Sequence, residues 1–410
     1  MRPAPDAGFG HVIAAEVVSN FGSMMSRIAI PWLAVLTLGA NPWQMGLLAV
    51  ADRLAGALTA LAMGIAIDRL PKRSVMVRAD VARSLLLALL ALAATTGRLS
   101  FALLVVVAAA GGVLDMAFEL ARSAWIAQAV PAPALSQRNA QLSAGAAISE
   151  SLAFAITGVV FQWLGGVAAL LVDGLSYLAS ALLLRRVGEP EPEPPADGNR
   201  RHTTLAEALR LMLGHPALRA LAALDVLVAL SAGVGVSSYM IYVSRDLALS
   251  TGLLGLVFAL GGAGSAIGAA LAPRAGRRLG HGRALAWGLA AAALGSALVP
   301  LAGSAGAGVV LLLAAHQLVG DAGQTGYAIH DRTLRQTLVP SDALARVDAA
   351  IRTLGQCALV AGALGGGAFA TGYGARGGLW LSAALLAAAA LLAWAAFGHT
   401  AGSAESRSID

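Results

Sequence analysis

Charged side chains are scarce in this sequence. Only 12% of its 410 residues are Asp, Glu, Lys or Arg, whereas soluble domains carry about 25%. Hydrophobic residues make up 58% of the chain, which is more than a water-soluble fold can hide in its interior. The composition therefore excludes an ordinary soluble protein and predicts that lipid surrounds most of the polypeptide.

Cysteine and clustered histidine are also missing. Cys357 is the sole cysteine, so no intrachain disulfide or cysteine metal cluster can form, and its apolar surroundings predict a small buried side chain. The seven histidines are scattered, and no two have convincing metal-ligand spacing. Two glycine pairs, Gly264 with Gly268 and Gly362 with Gly366, lack a following Lys-Ser or Lys-Thr and predict close helix packing rather than phosphate binding. We expect neither a metal nor a cofactor.

Long apolar runs without charge indicate membrane-spanning helices. Residues 151–172, 226–244, 247–273 and 353–375 contain no Asp, Glu, Lys or Arg, and about 20 such residues cross a bilayer core. Backbone groups in lipid must be hydrogen-bonded within their own segment, which favours helices. Cutting the chain at charge clusters and at glycine or proline breaks, including Gly165-Gly166, predicts twelve spans. They are 11–38, 44–67, 74–97, 100–122, 140–164, 167–186, 217–243, 250–273, 283–301, 306–331, 346–372 and 376–398.

The basic residues predict the orientation of these spans. Alternate loops and helix ends on one side carry 20 Lys and Arg residues, whereas those on the other side carry only Arg98, Arg245 and Arg376. Basic loops stay in the cytoplasm, so we expect a multi-pass protein of the cytoplasmic membrane with both termini inside the cell. Because the net charge of +6 is spread over these loops, it does not indicate a nucleic-acid partner.

A proline-rich segment divides the chain into halves. Residues 188–195 read Gly-Glu-Pro-Glu-Pro-Glu-Pro-Pro, which predicts an extended, solvated linker. Val130-Pro131 recurs as Val339-Pro340, 209 residues later, and this offset indicates an internal repeat. We predict an N-terminal six-helix bundle at 1–186, a cytoplasmic linker with a short amphipathic helix at 187–216, a C-terminal six-helix bundle at 217–400 and a cytoplasmic tail at 401–410.

Several motifs resemble the major facilitator superfamily of transporters. Gly64, Asp68-Arg69 and Lys72-Arg73 are similar to that superfamily's loop motif between helices two and three. Asn20-Phe21-Gly22 and Asp173-Gly174-Leu175-Ser176 resemble the first and sixth helices of a branch that includes enterobactin-exporter-like and macrolide-efflux-like proteins. The resemblance implies an all-α membrane protein with twelve transmembrane helices in two pseudo-symmetric six-helix bundles, and helices one, four, seven and ten lining a central cavity.

The function that this resemblance implies is secondary active transport by alternating access, not enzymatic catalysis. We expect proton-coupled efflux of a small amphipathic molecule, such as a drug, a siderophore or a secondary metabolite. The expected partners are that substrate, protons and the lipid bilayer, and the chain is expected to be a monomer. An importer of a small solute, a membrane-embedded enzyme and a non-transporting sensor are the alternatives.

Polar residues in the first helix share one face. Glu16, Asn20, Ser23 and Arg27 are spaced four, three and four residues apart, so they point to the same side and should line a cavity rather than face lipid. Arg27 lies near mid-depth, where a charge is costly. It either takes part in transport or forms a structural ion pair, for which Asp52 in the second helix is the candidate.

Three further acids lie within predicted spans. Glu150 falls near the bilayer midplane, where a desolvated carboxylate holds a proton more readily, and it is the first candidate for proton coupling. Its alternative is a buried hydrogen-bonded acid or a partner of Arg27. Asp225 and Asp321 could each be a further protonatable site or a structural acid. His316, beside Asp321, is read as a satisfied interior donor.

A cytoplasmic gate is predicted from two groups of charges. One group lies on a single face of the fourth helix and indicates an ion-pair network rather than a substrate site. The other follows the second helix and indicates a latch whose acid accepts hydrogen bonds from a helix N-terminus, although its basic residues could merely set topology. The gate residues are Asp68, Arg69, Lys72, Arg73, Asp115, Glu119 and Arg122.

Overall fold

The computed structural model describes residues 5–68, 70–129, 132–187, 212–303, 306–339 and 341–398. All regular structure within this part of the chain is helical. The α-helices are α1 (Pro5–Trp32), α2 (Pro42–Asp68), α3 (Lys72–Thr95), α4 (Phe101–Ala129), α5 (Ala132–Arg185), α6 (Pro216–Ile241), α7 (Thr251–Leu279), α8 (His281–Leu301), α9 (Gly306–Ala315), α10 (Asp321–Leu338) and α11 (Ser341–Phe397). Short π-helical turns, Leu33–Thr37, Tyr242–Asp246 and His316–Gly320, extend α1, extend α6 and join α9 to α10.

Two of these helices each change direction at one glycine. Gly165 in α5 has φ 80° and ψ 172°, and Gly374 in α11 has φ 80° and ψ 160°. A positive φ suits glycine because it lacks a Cβ, so α5 and α11 each consist of two helices in series. The break predicted at Gly165-Gly166 is confirmed. These turns are consistent with twelve spans, a number that stays a prediction.

Six stretches of the described chain are long and apolar enough to cross a membrane. Large apolar side chains such as Leu58 and Trp163 are exposed on the surface of the molecule, where lipid and not water is the favourable surrounding. The six stretches are Phe101–Ile126, Ile156–Arg185, Pro216–Asp246, Thr251–Leu279, His281–Leu301 and Val347–Phe397.

The 209-residue offset recurs in the backbone. The π-helical turn Leu33–Thr37 has its counterpart at Tyr242–Asp246. Gly39, with φ 67°, matches Ala248, with φ 50°, although an alanine adopts this conformation only at a cost. Gly165 matches Gly374 in the same way. The two halves therefore share local backbone features at the offset that the sequence predicts.

The chain forms two compact units. The first comprises Met1–Ala40, Leu47–Gly198 and Leu249–Ala259, and the second comprises Asn41–Gly46, Asn199–Ala248 and Leu260–Asp410. Each unit has its own apolar core. That of the first includes Met76, Trp125 and Leu184, and that of the second includes Leu221, Leu285 and Ile351. The predicted division at the linker stays a prediction, because 188–211 lie outside the described residues, as do 399–410.

Two expectations about small side chains have different outcomes. The glycine pairs do permit close packing: a Cβ at Gly264 would lie 2.5 Å from Gln317 O, and one at Gly366 would lie 2.7 Å from Val234 Cα. The expectation that Cys357 is buried is wrong, since its side chain is exposed. An apolar side chain in a membrane protein gains little by leaving lipid for the protein interior, so apolar surroundings in sequence do not predict burial here.

Candidate functional site

An arginine held by two carboxylates lies inside the first unit. Arg83 on α3 is 6% exposed and forms ion pairs with Asp80, at 2.8 Å, and with Asp115 on α4. The rings of Phe118 and Tyr177 lie 4.7 and 4.5 Å from its guanidinium carbon, within cation–π range. These five residues are called the Arg83 cluster. Asp80 is fully buried, whereas Asp115 is 44% exposed, so the cluster is open on the Asp115 side.

Hydroxyl groups continue the Arg83 cluster toward α1. Tyr177 Oη and Ser23 Oγ are hydrogen-bonded at 2.9 Å. Ser176 Oγ donates to the main-chain oxygen of Asp173 at 2.8 Å and lies beside the buried Asp173 carboxylate. A Cβ at Gly22 of α1 would overlap Ser176 Oγ and Asp173 Oδ1. Close approach of α1 to the second part of α5 therefore requires glycine at position 22.

A second ion pair joins α1 to α4. Glu16 Oε1 lies 3.1 Å from Arg122 NH1, and the two side chains are 17% and 21% exposed. Glu16 also interacts electrostatically with Arg83 and Glu119. The predicted network of α4 residues extends to two other helices, because Arg122 pairs with α1 and Asp115 with α3, while Glu119 is exposed.

Arg27 and Asp52 are electrostatic neighbours, as the sequence suggests. Arg27 is exposed and Asp52 is partly buried, and Asp52 interacts with Arg27, Arg53 and Asp115. Asp52 lies where α2 crosses α4. A Cβ at Gly112 of α4 would overlap the main-chain oxygen of Asp52 and would lie 3.1 Å from its Oδ1.

The second unit holds an arginine among three acids. Arg335 on α10 is 16% exposed and pairs with Asp225 on α6 at 3.1 Å, with Asp348 on α11 at 3.4 Å, and with Asp331 one turn away on α10. Tyr327 Oη donates a hydrogen bond to Asp225 Oδ1. These five residues are called the Arg335 cluster. The predicted site residue Asp225 is thus an ion-pair partner, which favours the structural alternative for it.

The two units place comparable ion pairs at comparable positions. Glu16 and Asp225 are 209 residues apart and lie on the first helix of their respective halves. Each pairs with an arginine at 3.1 Å, Arg122 in one unit and Arg335 in the other. Arg335 comes 213 residues after Arg122, about one helical turn beyond the repeat. The internal repeat therefore extends from backbone shape to charge placement.

A second correspondence involves one carboxylate and one glycine in each unit. Asp52 faces Gly112 across the α2–α4 crossing, and a Cβ at Gly261 on α7 would overlap Asp321 Oδ2 on α10. Position 261 corresponds to 52, and 321 corresponds to 112, because each pair is 209 residues apart. Each unit thus places one acid at the same helix crossing, but from opposite helices.

His316 and Gln317 lie in the π-helical turn that precedes Asp321, the first residue of α10. His316 Nδ1 and Gly295 O are 2.9 Å apart, so His316 donates from Nδ1, as the interior-donor interpretation expects. The Tyr239 ring lies 5.9 Å from the His316 ring, centroid to centroid. Gln317 is buried, whereas Gln324, on the next turns of the helix, is exposed.

Two latch residues fasten the turn between α2 and α3. Lys72 Nζ donates to the main-chain oxygens of Ile67 and Leu70 at 2.7 and 2.8 Å. Arg73 NH1 donates to Val187 O at the end of α5, at 2.8 Å. These contacts show that the basic residues of the loop motif do more than set topology, because they satisfy carbonyl groups at two helix ends.

Three predicted residues fall outside the part that the structure describes: all of Arg69, and the side chains of Asp68 and Glu150. Two residues that sequence reasoning did not single out as site residues, Arg83 and Arg335, prove to be the centres of the charged clusters. The available signal was their position within predicted spans or at span ends, where an arginine needs an acidic partner. Each arginine has one acid a turn away on its own helix, Asp80 or Asp331, which spacing could have indicated. The remaining acidic partners lie on other helices, so sequence spacing could not identify them.

Comparison with known proteins gives the family. The family model described as the Major Facilitator Superfamily matches residues 12–356, whereas no curated protein matches significantly. A bacterial homologue of the iron transporter ferroportin, inward-facing, is 17% identical with a TM-score of 0.76, over 94% of this chain and 98% of that one. A bacterial homologue of the human lysosomal transporter Spinster is 14% identical with a TM-score of 0.73, over 97% of this chain and 98% of that one. The nucleoside transporter NupG, as a mutant, is 12% identical with a TM-score of 0.79, over 95% of this chain and 100% of that one. The chain therefore belongs to the Major Facilitator Superfamily, and it is a multi-pass membrane transporter and not an enzyme.

Proposed function

We propose that this transporter exports a small amphipathic molecule in exchange for protons. The observation that carries the proposal is a pair of acids, Asp52 and Asp321, which lie at the corresponding helix crossing of each unit although they come from opposite helices. Both are partly buried. A carboxylate within a membrane span is energetically unfavourable, so its presence there usually indicates a function. An acid that becomes neutral when it binds a proton is the simplest coupling element that such a chain can offer.

The similar structures do not identify the substrate of this transporter. Their names include an iron transporter and a nucleoside transporter, and at such low identity they share the fold alone. The resemblance of the Asn20-Phe21-Gly22 and Asp173-Gly174-Leu175-Ser176 motifs to bacterial exporters supports an amphipathic substrate. Gly22 and Asp173 are in close contact, so the two motifs pack against each other in the structure.

A reconstituted transport assay tests the coupling. Purified protein is placed in proteoliposomes that contain a pH-sensitive dye, a pH gradient is imposed, and movement of ethidium, an amphipathic cation, is followed with movement of protons. We expect ethidium flux to require the gradient. Asp321→Asn, Asp52→Asn and Glu150→Gln should each be compared with wild type, and Asp246→Asn is the matched control because Asp246 is exposed at the end of its π-helical turn.

The outcomes separate the alternatives. Loss of coupled flux in Asp321→Asn or Asp52→Asn, with Asp246→Asn unaffected, supports the proposed coupling acids. If only Glu150→Gln abolishes coupling, the proton-binding site is assigned to Glu150 on α5 instead. Flux that ignores the gradient in every variant rejects proton exchange, and flux that runs only from outside to inside supports an importer.

We also propose that both termini face the cytoplasm and that the ion pair of Arg122 and the hydrogen bonds of Lys72 belong to the cytoplasmic gate. The 20 basic residues of one set of loops support this orientation. The single cysteine makes a direct test simple, because Cys357→Ser yields a background without thiols. Arg98→Cys should then react with an impermeant maleimide from outside intact cells, and Arg278→Cys should react only after permeabilisation.

A further inference from the structure

Two histidines from different helices meet in the second unit. His281 is the first residue of α8 and is exposed, and His330 on α10 is 2% exposed. Their Nδ1 atoms are 3.1 Å apart, and their ring centroids are 5.3 Å apart with the planes inclined by 54°. Their positions differ by 49 residues, so no spacing in the sequence indicates that they meet.

We propose that His281 and His330 form a binding site for a divalent transition-metal ion such as Zn²⁺, Ni²⁺ or Cu²⁺. Imidazole nitrogen is a preferred ligand of these ions. Two bonds of about 2.0–2.1 Å at a tetrahedral angle place the two nitrogens about 3.3 Å apart. A right angle between the same bonds, as in square-planar or octahedral sites, places them about 2.9 Å apart. The observed 3.1 Å lies between these values, so both rings could bind one ion with little movement.

Metal binding requires a change of tautomer. In the metal-free pair, one ring donates its Nδ1–H to the Nδ1 lone pair of the other. An ion needs both Nδ1 lone pairs, so the donating ring must carry its proton on Nε2 instead. The exposed ring of His281 can make this exchange through water. Two neutral rings then bind the ion without net loss of a proton. A pair that carries one additional proton releases that proton when the ion binds.

The surroundings leave room for the two rings. A Cβ at Gly276, in the last turns of α7, would lie 3.1 Å from His281 Cε1 and 3.2 Å from His330 Cε1, so this position is shaped around the pair. Arg277 and Arg278 follow in the same turn. Their positive charge repels a cation and limits affinity.

Water must complete the coordination sphere. Among the described residues, no group of three His, Cys, Asp or Glu side chains is arranged to hold a metal ion, and the neighbouring Asp331 carboxylate is engaged by Arg335. A two-histidine site of this kind is exchangeable rather than permanent. When occupied, it ties the start of α8 to α10 within one unit. The proposal is independent of the substrate and of proton coupling.

Direct metal binding tests the site. Full-length protein is purified in detergent without a polyhistidine tag, stripped with a chelator and dialysed against Zn²⁺, and bound zinc is measured by elemental analysis. We expect one saturable equivalent at micromolar zinc, together with a rise in Tm. His281→Ala should weaken binding about 10- to 100-fold and abolish the rise. His215→Ala, which removes another exposed histidine at a helix start, should leave both unchanged.

A spectroscopic readout identifies the ligands. Cu²⁺ in place of zinc should show coupling to two nitrogens in electron paramagnetic resonance, reduced to one in His281→Ala or in His330→Gln. Because His281 is exposed, its variant tests the site even if replacement of the buried His330 prevents folding. Absence of bound zinc at sub-millimolar concentration, or binding that is unchanged in His281→Ala, would overturn the proposal and leave the pair as a hydrogen bond only.

Discussion

Replacing Arg83 with leucine removes a buried cation and leaves Asp80 without its counter-charge. Asp80 is 0% exposed and Arg83 is 6% exposed, so water cannot substitute for the lost partner. Removing one member of a buried ion pair costs about 3–5 kcal/mol. Losing the contacts of the guanidinium with two aromatic rings adds about 0.5–2 kcal/mol, part of which the leucine recovers by packing. We expect the free energy of unfolding to fall by about 4 kcal/mol.

The measurement is reversible unfolding of the purified protein in mixed micelles, followed by circular dichroism as the fraction of denaturing detergent rises. Arg83→Leu combined with Asp80→Asn removes both charges of this pair, so the double variant should recover at least half of the loss. Asp115→Asn should cost less than about 1 kcal/mol because its partly exposed carboxylate is screened by solvent. A loss below about 1 kcal/mol for Arg83→Leu, or no recovery in the double variant, would refute the assignment of stability to this pair.

Three other substitutions have defined outcomes. Gly22→Ala should lower stability by about 1–3 kcal/mol through overpacking, whereas Gly111→Ala, which meets nothing within 4 Å, should be near neutral; equal effects would contradict the packing argument. Ala248→Gly should raise Tm slightly. It relieves about 1–2 kcal/mol of left-handed backbone strain, which exceeds the cost of about 0.5–1 kcal/mol for the greater entropy of glycine in the unfolded chain. The equivalent Gly39→Ala should lower Tm. Asp225→Asn should cost about 2 kcal/mol in the same unfolding assay, the contribution of a hydrogen bond to a charged group; an unchanged transition would show that its tyrosine and arginine partners re-pair without cost.

The fold could be predicted because lipid imposes simple rules on a sequence. Apolar runs must be helices, and glycine breaks such as Gly165 mark where a helix turns. The loop repeat at Val130 and Val339 gave the offset that the backbone turns at Gly39 and Ala248 later match. Such features depend on residues close together in the sequence or on direct comparison of its halves, so they are visible without a structure.

The site was predicted less completely because its contacts join distant helices. Spacing placed Arg122 and Asp115 on one face of α4, but it could not show that each pairs with a different helix. Arg83 and Arg335 each have one acidic partner a turn away on the same helix, yet their other acidic partners depend on how the helices pack. Burial of Cys357 was mispredicted for a related reason, since hydropathy in a membrane protein does not distinguish a lipid-facing side chain from an interior one.

The matched π-helical turns bear on the history of the chain. Such a turn has i→i+5 hydrogen bonds and so accommodates one residue more per turn than a regular α-helix. Leu33–Thr37 and Tyr242–Asp246 occupy the same register in both halves, as expected if both halves derive from the duplication of one ancestral six-helix segment that already contained this turn. From there to Gly165 and Gly374 the two copies differ by no net length, so hybrid genes joined at corresponding codons should keep the wild-type number of residues between these turns.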